Sequence, residues 1–203
     1  MTRKVLFTTQ RLELVNFSTH HLDGLADMNA DPEVMRYFPR TLNRAQSDAL
    51  LARIMAHRRQ YGFSLLALHL CEQETGKGGE FIGWCGLLHV DFHAHFTPAI
   101  EIGWRLKRAY WGQGLATEAA RQVLAYGFET LGLPEIVSFT AKLNTRSERV
   151  MQRLGMMYQS ADDFAHPKLP EDAPLCPHVL YRLPAGAFKT ATGALQARAN
   201  MTL

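Results

Sequence analysis

Residues 111–118, Trp111-Gly112-Gln113-Gly114-Leu115-Ala116-Thr117-Glu118, stand where an alternating stretch gives way to a helical one. Before them, PAIEIGWRLK at 98–107 alternates as a strand does. After them, Ala116, Ala120, Val123, Leu124, Phe128 and Leu131 fall on one stripe. Glu118, Arg121, Gln122 and Glu129 fall opposite, which predicts a helix over 113–131 closed by Gly132. Glycines two apart let the chain turn tightly and bring its amides close to a ligand. At a helix N-terminus those unpaired N–H groups, with the helix dipole, favour an anion, and a diphosphate suits such a nest. A bare chain reversal would use the same two glycines. A Walker loop is excluded because no Lys-Ser/Thr follows, and the dinucleotide fingerprint because Thr117 stands where Gly or Ala is needed.

Further along, 135–141 (EIVSFTA) reads as a strand. Residues 145–154 read as a helix ending at Gly155. Ser147, Val150, Met151 and Leu154 are spaced i, i+3, i+4 and i+7, which puts the Ser147 hydroxyl on the inward stripe. Such a hydroxyl bonds back to its own helix or faces a ligand. Asn144 is placed to cap that helix. Short strands at 156–160 and 178–183 bracket an irregular acidic stretch.

Toward the N-terminus, RLELVNF at 11–17 reads as the first strand, followed by a helix from the Ser18 cap. Asp31-Pro32-Glu33 has the pattern of a further helix start, and 43–60 that of a longer helix ending before Gly62. Residues 63–72 and 80–90, separated by the turn-rich TGKGG, join 98–107 in an antiparallel meander. Residues 1–183 read as one mixed α/β (α+β) domain, and 184–203 as a peripheral, partly disordered tail.

Composition narrows the function classes. The 203 residues carry 22 basic and 19 acidic side chains, a net charge of +3 with no Lys/Arg block, which gives nucleic-acid binding little support. Cys71, Cys85 and Cys176 have no CxxC spacing, so neither a disulfide framework nor a cysteine zinc knuckle is expected. No signal peptide and no apolar run near 18 residues is found, so a cytoplasmic protein is expected.

In their order, these elements resemble the GNAT superfamily of N-acetyltransferases, in particular its ribosomal-protein N-terminal (alanine/serine) acetyltransferase-like branch. Tyr110-Trp111-Gly112-Gln113-Gly114-Leu115-Ala116-Thr117-Glu118-Ala119 is similar to that branch's helix-opening signature, and Asn144 to Met156 to its later Asn-x-x-Ser-x-x-Val element. Arg11-Leu12, Asp31 to Met35, Glu101 to Trp104 and His178 to Tyr181 also fit, so the likeness covers about residues 10–183. Trp111 departs from the general signature, which has Arg or Gln there.

The resemblance implies a mostly antiparallel sheet flanked by helices and splayed between its fourth and fifth strands, with acetyl-CoA wedged there. The diphosphate would lie on the amides of Gly112, Gln113, Gly114, Leu115, Ala116 and Thr117, and the pantetheine along Trp104, Arg105 and Leu106. It also implies transfer of an acetyl group from acetyl-CoA to a primary amine, on a protein N-terminus or a small molecule, by a monomer or homodimer. An ammonium must lose a proton before it attacks a thioester. Glu101 on the fourth strand is the candidate base, a surface carboxylate being the alternative. Ser147 would donate a hydrogen bond to the leaving thiolate, Asn144 would fix the pantetheine arm, and Tyr110 and Tyr158 are reserve donors. No metal is required. His89, Asp91, His93 and His95 share a face if the strand runs that far, and could hold an adventitious metal. A non-catalytic acyl-CoA-binding sensor or partner module, or a hydrolase of acyl-CoA, would use the same cofactor site.

Overall fold

The computed structural model describes residues 4–71 and 79–188. Most of the TGKGG turn and the tail beyond 188 lie outside the described residues. The described residues fall into two compact units, one of 4–71, 79–89 and 102–123, the other of 90–101 and 124–188.

The first unit holds strands β1 (Val5–Thr8), β2 (Leu12–Asn16), β3 (Leu65–Leu70) and β4 (Phe81–His89), and most of β5 (Ile100–Leu106). β1 pairs antiparallel with β2, β2 with β3, and β3 with β4. Helices α1 (Leu22–Ala30) and α2 (Arg44–Tyr61) pack on them. Their apolar faces meet Val15, Phe17, Ala67 and Trp84 through Leu25, Met28, Leu51 and Ile54. Asn43 caps α2 by accepting from the Gln46 N–H at 2.9 Å, and the Gln46 side chain accepts from the Asn43 N–H in return. Gly62, at φ 81°, ends it. Helix α3 (Leu115–Ala125) follows the glycine turn and continues as a π-helical turn over Tyr126–Thr130, until Gly132 at φ 67°.

In the second unit β6 (Glu135–Ala141) pairs along its whole length with β9 (Pro177–Pro184), antiparallel. The two-residue strands β7 (Met157–Tyr158) and β8 (Phe164–Ala165) also pair with β9. Helix α4 (Thr145–Arg153) follows β6 and ends near Gly155 at φ 77°. Val137 and Leu180 pack with Phe96, joined by Phe92, Phe139 and Phe164. Phe188, at the start of the tail, lies 4.9 Å from Phe128, ring to ring.

Together the strands form a nine-stranded sheet in the order β1-β2-β3-β4-β5-β6-β9-β7, with β8 on β9. The edge strand β1 adds to the expected strands, so the expected fourth and fifth are β5 and β6. These two are parallel, and their pairing is the single register Glu101↔Val137. Asp31-Pro32-Glu33 starts no helix. Asp31 does cap, its carboxylate accepting from the Glu33 N–H at 2.8 Å, but turns follow up to the Phe38-Pro39 step. A residue before proline avoids the helical region, and Val34 and Met35 are buried within the turns instead.

Candidate active site

The glycine turn belongs to the first unit, and its shape follows from its residues. A short 3-10 turn over Arg108–Tyr110 leads from β5 into it. The Trp111 indole N–H donates to the Leu106 carbonyl at 2.9 Å, which pins the turn to the end of β5, and the ring packs on the first unit's core. The departure from the family signature at 111 thus has a scaffold role. Gly112 and Gly114 both adopt left-handed backbone, at φ 76° and 79°, which side chains resist. Both are exposed, Leu115 is buried beneath them, and Ala116 and Thr117 are half-buried.

A clamp holds this turn from the link between β1 and β2. The Glu118 carboxylate accepts from the Thr9 hydroxyl at 2.6 Å, and from the Arg11 main-chain N–H and Nε at 2.8 Å each. Arg11 Nη2 lies 2.7 Å from the same carboxylate, while Arg11 Nη1 donates to the Gln113 carbonyl at 3.0 Å. Burial acts to raise the Glu118 carboxyl, but the hydrogen bonds from Thr9 and Arg11, with the charge of Arg11, outweigh it and hold it below its usual range. Sequence reasoning did not find this clamp, because its partners are 107 residues apart and no local pattern links them.

The other residues on β5 differ in surroundings. Trp104 is half-buried and Leu106 buried. The Arg105 side chain turns to α1, where Nη1 donates to Asn29 Oδ1 at 2.7 Å. Glu101 is half-buried, and among the described residues its carboxyl has no hydrogen bond or ion pair. Burial first, and the charge of Asp91 second, push it up to about 8.

Asn144 caps α4 as expected, its Oδ1 accepting from the Ser147 N–H at 3.3 Å. Its Nδ2 donates to Thr140 Oγ1 at 3.0 Å, so both ends of the amide are occupied. The half-buried Ser147 hydroxyl, in contrast, bonds to no described residue, including its own helix. Tyr158 donates to Asp163 at 3.2 Å. Burial, then Glu80, raise the Tyr110 phenol to about 12. The acidic stretch is matched at its start by cations from elsewhere in its unit: Arg182 Nε donates to Asp162 at 2.8 Å and Lys142 to Asp163 at 3.0 Å. The histidines go to separate partners, His89 stacking on Phe63 and His95 lying 3.4 Å from Asp162. Among the described residues no group of three or more His, Cys, Asp or Glu could hold a metal ion, and no helix is long and apolar enough to cross a membrane.

Comparison with known proteins bears on the family and the fold. The family model for the acetyltransferase (GNAT) domain matches residues 11–157. FsC-acetyl coenzyme A-N(2)-transacetylase of Aspergillus fumigatus is 30% identical over 161 residues, 74% of this chain; the chain spans 64% of that relative's length. The uncharacterized N-acetyltransferase p20 of Bacillus licheniformis is 30% identical over 72% of this chain and 79% of its own. Among solved structures, the ribosomal L7/L12 α-N-protein acetyltransferase RimL, in complex with coenzyme A, shares the fold with a TM-score of 0.70, at 13% identity over 91% of this chain and 99% of its own. With the glycine turn, the strand before it and the helix after it all inside the matched region, the chain belongs to the GNAT acetyltransferase family.

Proposed function

We propose that the protein transfers an acetyl group from acetyl-CoA to a primary amine by direct attack on the thioester, with residues 1–183 acting as one catalytic domain. Support for the single domain comes from the family match, which runs through residues of both units. The amides of Gly112 to Thr117 receive the diphosphate, and the main chain of Trp104, Arg105 and Leu106 receives the pantetheine. CoA in the RimL complex supports that choice of cofactor.

The observation that carries the reading is Glu101. A carboxyl raised to about 8 is matched to an α-ammonium at about 8, so in its ionised form, from about pH 8 upward, it can take that proton. The freed nitrogen lone pair attacks the carbonyl carbon, the C–S bond breaks, and the thiolate leaves. Its unpaired hydroxyl makes Ser147 the donor to that sulfur; the nitrogen's second proton passes to the thiolate, giving the neutral amide and the thiol, and Glu101 returns the ammonium proton to solvent. Asn144 holds the head of α4, and with it the Ser147 hydroxyl, in place. Much of the rate comes from holding two reactants together.

Calorimetric titration with acetyl-CoA tests the cofactor site. Binding in the micromolar range by the wild type, lost in Gly114→Trp, is expected. A folded wild type that binds no acetyl-CoA would overturn the reading.

A further inference from the structure

Arg105 is a half-buried cation with no anion among the described residues. Its guanidinium lies over the Phe38 ring at 3.9 Å and near Trp84 at 5.1 Å. Its hydrogen bond goes to a neutral amide, Asn29 Oδ1, at 2.7 Å. That amide is fixed in turn, since Asn29 Nδ2 donates to Ser47 Oγ at 3.1 Å with both residues buried. Three elements, β5, α1 and α2, are therefore joined to hold one guanidinium. No described acid is within ion-pair distance of it. The Arg105 Nε and the Trp84 Nε1 are both sealed from solvent and unbonded. Burial alone lowers the arginine to about 10, and no neighbouring charge adds to that shift.

Buried unpaired donors and unmatched charges each cost stability, so a structure that fixes such a group this firmly has a use for it. Aromatic rings stabilise the cation without consuming its N–H groups. What is left unbonded is the Nε edge of the fork, which with Nη2 matches the two oxygens of a carboxylate. Phe38, 37% exposed, lies against the face of the guanidinium, and surface rings of this kind change rotamer readily.

We propose that the Arg105 side chain binds a carboxylate carried by the acceptor, so that the amine acetylated here belongs to an amino-acid-like molecule with a free carboxylate. This rests on the acetyltransferase reading above. It concerns the arginine side chain, whereas the pantetheine takes the strand's main chain. A carboxylate in the fork satisfies the orphaned Nε and neutralises the charge. An acceptor with a carboxamide there would leave both unmet, and such a mismatch discriminates strongly.

The test uses ω-amino acids of increasing length and their amides as acceptors, with wild type, Arg105→Gln and Arg105→Lys. The carboxylate-to-amide ratio of kcat/KM is compared between variants, which cancels the intrinsic reactivity of each amine. For at least one length the wild-type ratio should exceed that of Arg105→Gln by about 10-fold or more, with KM for acetyl-CoA unchanged. Arg105→Lys should keep part of the preference, and serves if the glutamine variant does not fold. Equal ratios at every length, or a parallel rise in KM for acetyl-CoA, would overturn the proposal. If the wild type acetylates no amine, the acetyltransferase reading fails separately. Calorimetry with the N-acetyl ω-amino acids and their amides then decides the carboxylate site: selective binding lost in Arg105→Gln supports it, and equal binding refutes it.

Discussion

Arg11, just before β2, and Glu118, in the first turn of α3, meet in a two-pronged ion pair with contacts of 2.8 and 2.7 Å, and the same guanidinium holds the Gln113 carbonyl. The pair therefore ties the glycine turn to the sheet. With this guanidinium engaged, the proposed reading assigns phosphate recognition to the turn's amides.

Arg11→Ala should weaken both the fold and the turn. Charge-assisted hydrogen bonds contribute about 1.5–3 kcal/mol, so a melting temperature lower by roughly 3–10 °C is expected, with weaker acetyl-CoA binding. Scanning calorimetry with and without acetyl-CoA reads both. An unchanged acetyl-CoA affinity would show that the clamp serves stability alone.

Gly114→Ala isolates the backbone. Its φ of 79° costs a side chain about 1–2 kcal/mol, while a Cβ there meets only Arg11 Nη2, at 3.7 Å. Affinity for acetyl-CoA should drop about 10-fold with the melting temperature only slightly lower. Loss of stability at full affinity would mean that the turn does not hold the cofactor.

Glu101 makes a prediction on pH with a definite sign. Its carboxyl, raised from 4.5 to about 8, binds more protons folded than unfolded, so between those values stability falls as pH rises. Glu101→Gln should remove that loss and melt a few degrees higher at pH 8–9. With an acceptor whose ammonium titrates near 10, it should also abolish the rise of kcat/KM with pH near 8 and lower the rate about 100-fold or more. A slower but equally pH-dependent variant would assign the base elsewhere.

His178 has the opposite dependence. Burial first, then the charge of His166, lower it to about 4 despite the Cys176 carbonyl, so the folded form binds fewer protons than the unfolded one. Its contribution is present above about 6.5 and is lost as pH falls from there toward 4. His178→Phe should flatten the fall in melting temperature across that window. An unaltered acid limb would point to other groups.

Much of the fold was legible because its punctuation is local. Asn43 with Gln46, Gly62, Gly132 and Gly155 mark helix ends within a few residues of sequence, and the structure places caps or left-handed glycines at each. What was not legible depends on distant partners. The four residues of β1 form a strand only because β2 is beside them. Gly83, at φ 151°, sits where a Cβ would lie 2.2 Å from the Arg105 carbonyl, an approach between β4 and β5 that no spacing announces. In the candidate site, the glycine turn, Asn144 as a cap and the placing of Ser147 could be read from pattern. The unpaired Ser147 hydroxyl, the lone Glu101 carboxyl and the unmatched Arg105 could not, since lacking a partner is a property of the packed chain.

The most direct measurement of the central claim is release of CoA thiol from acetyl-CoA, followed as amines are added to the wild type and to Ser147→Ala. The account predicts little release without amine, amine-dependent release by the wild type with an equivalent amount of N-acetylated product, and release slower by about 10- to 100-fold in Ser147→Ala at unchanged acetyl-CoA affinity. Thiol release at the same rate with and without amine, or acetyl-CoA binding with no release on any amine, would contradict it.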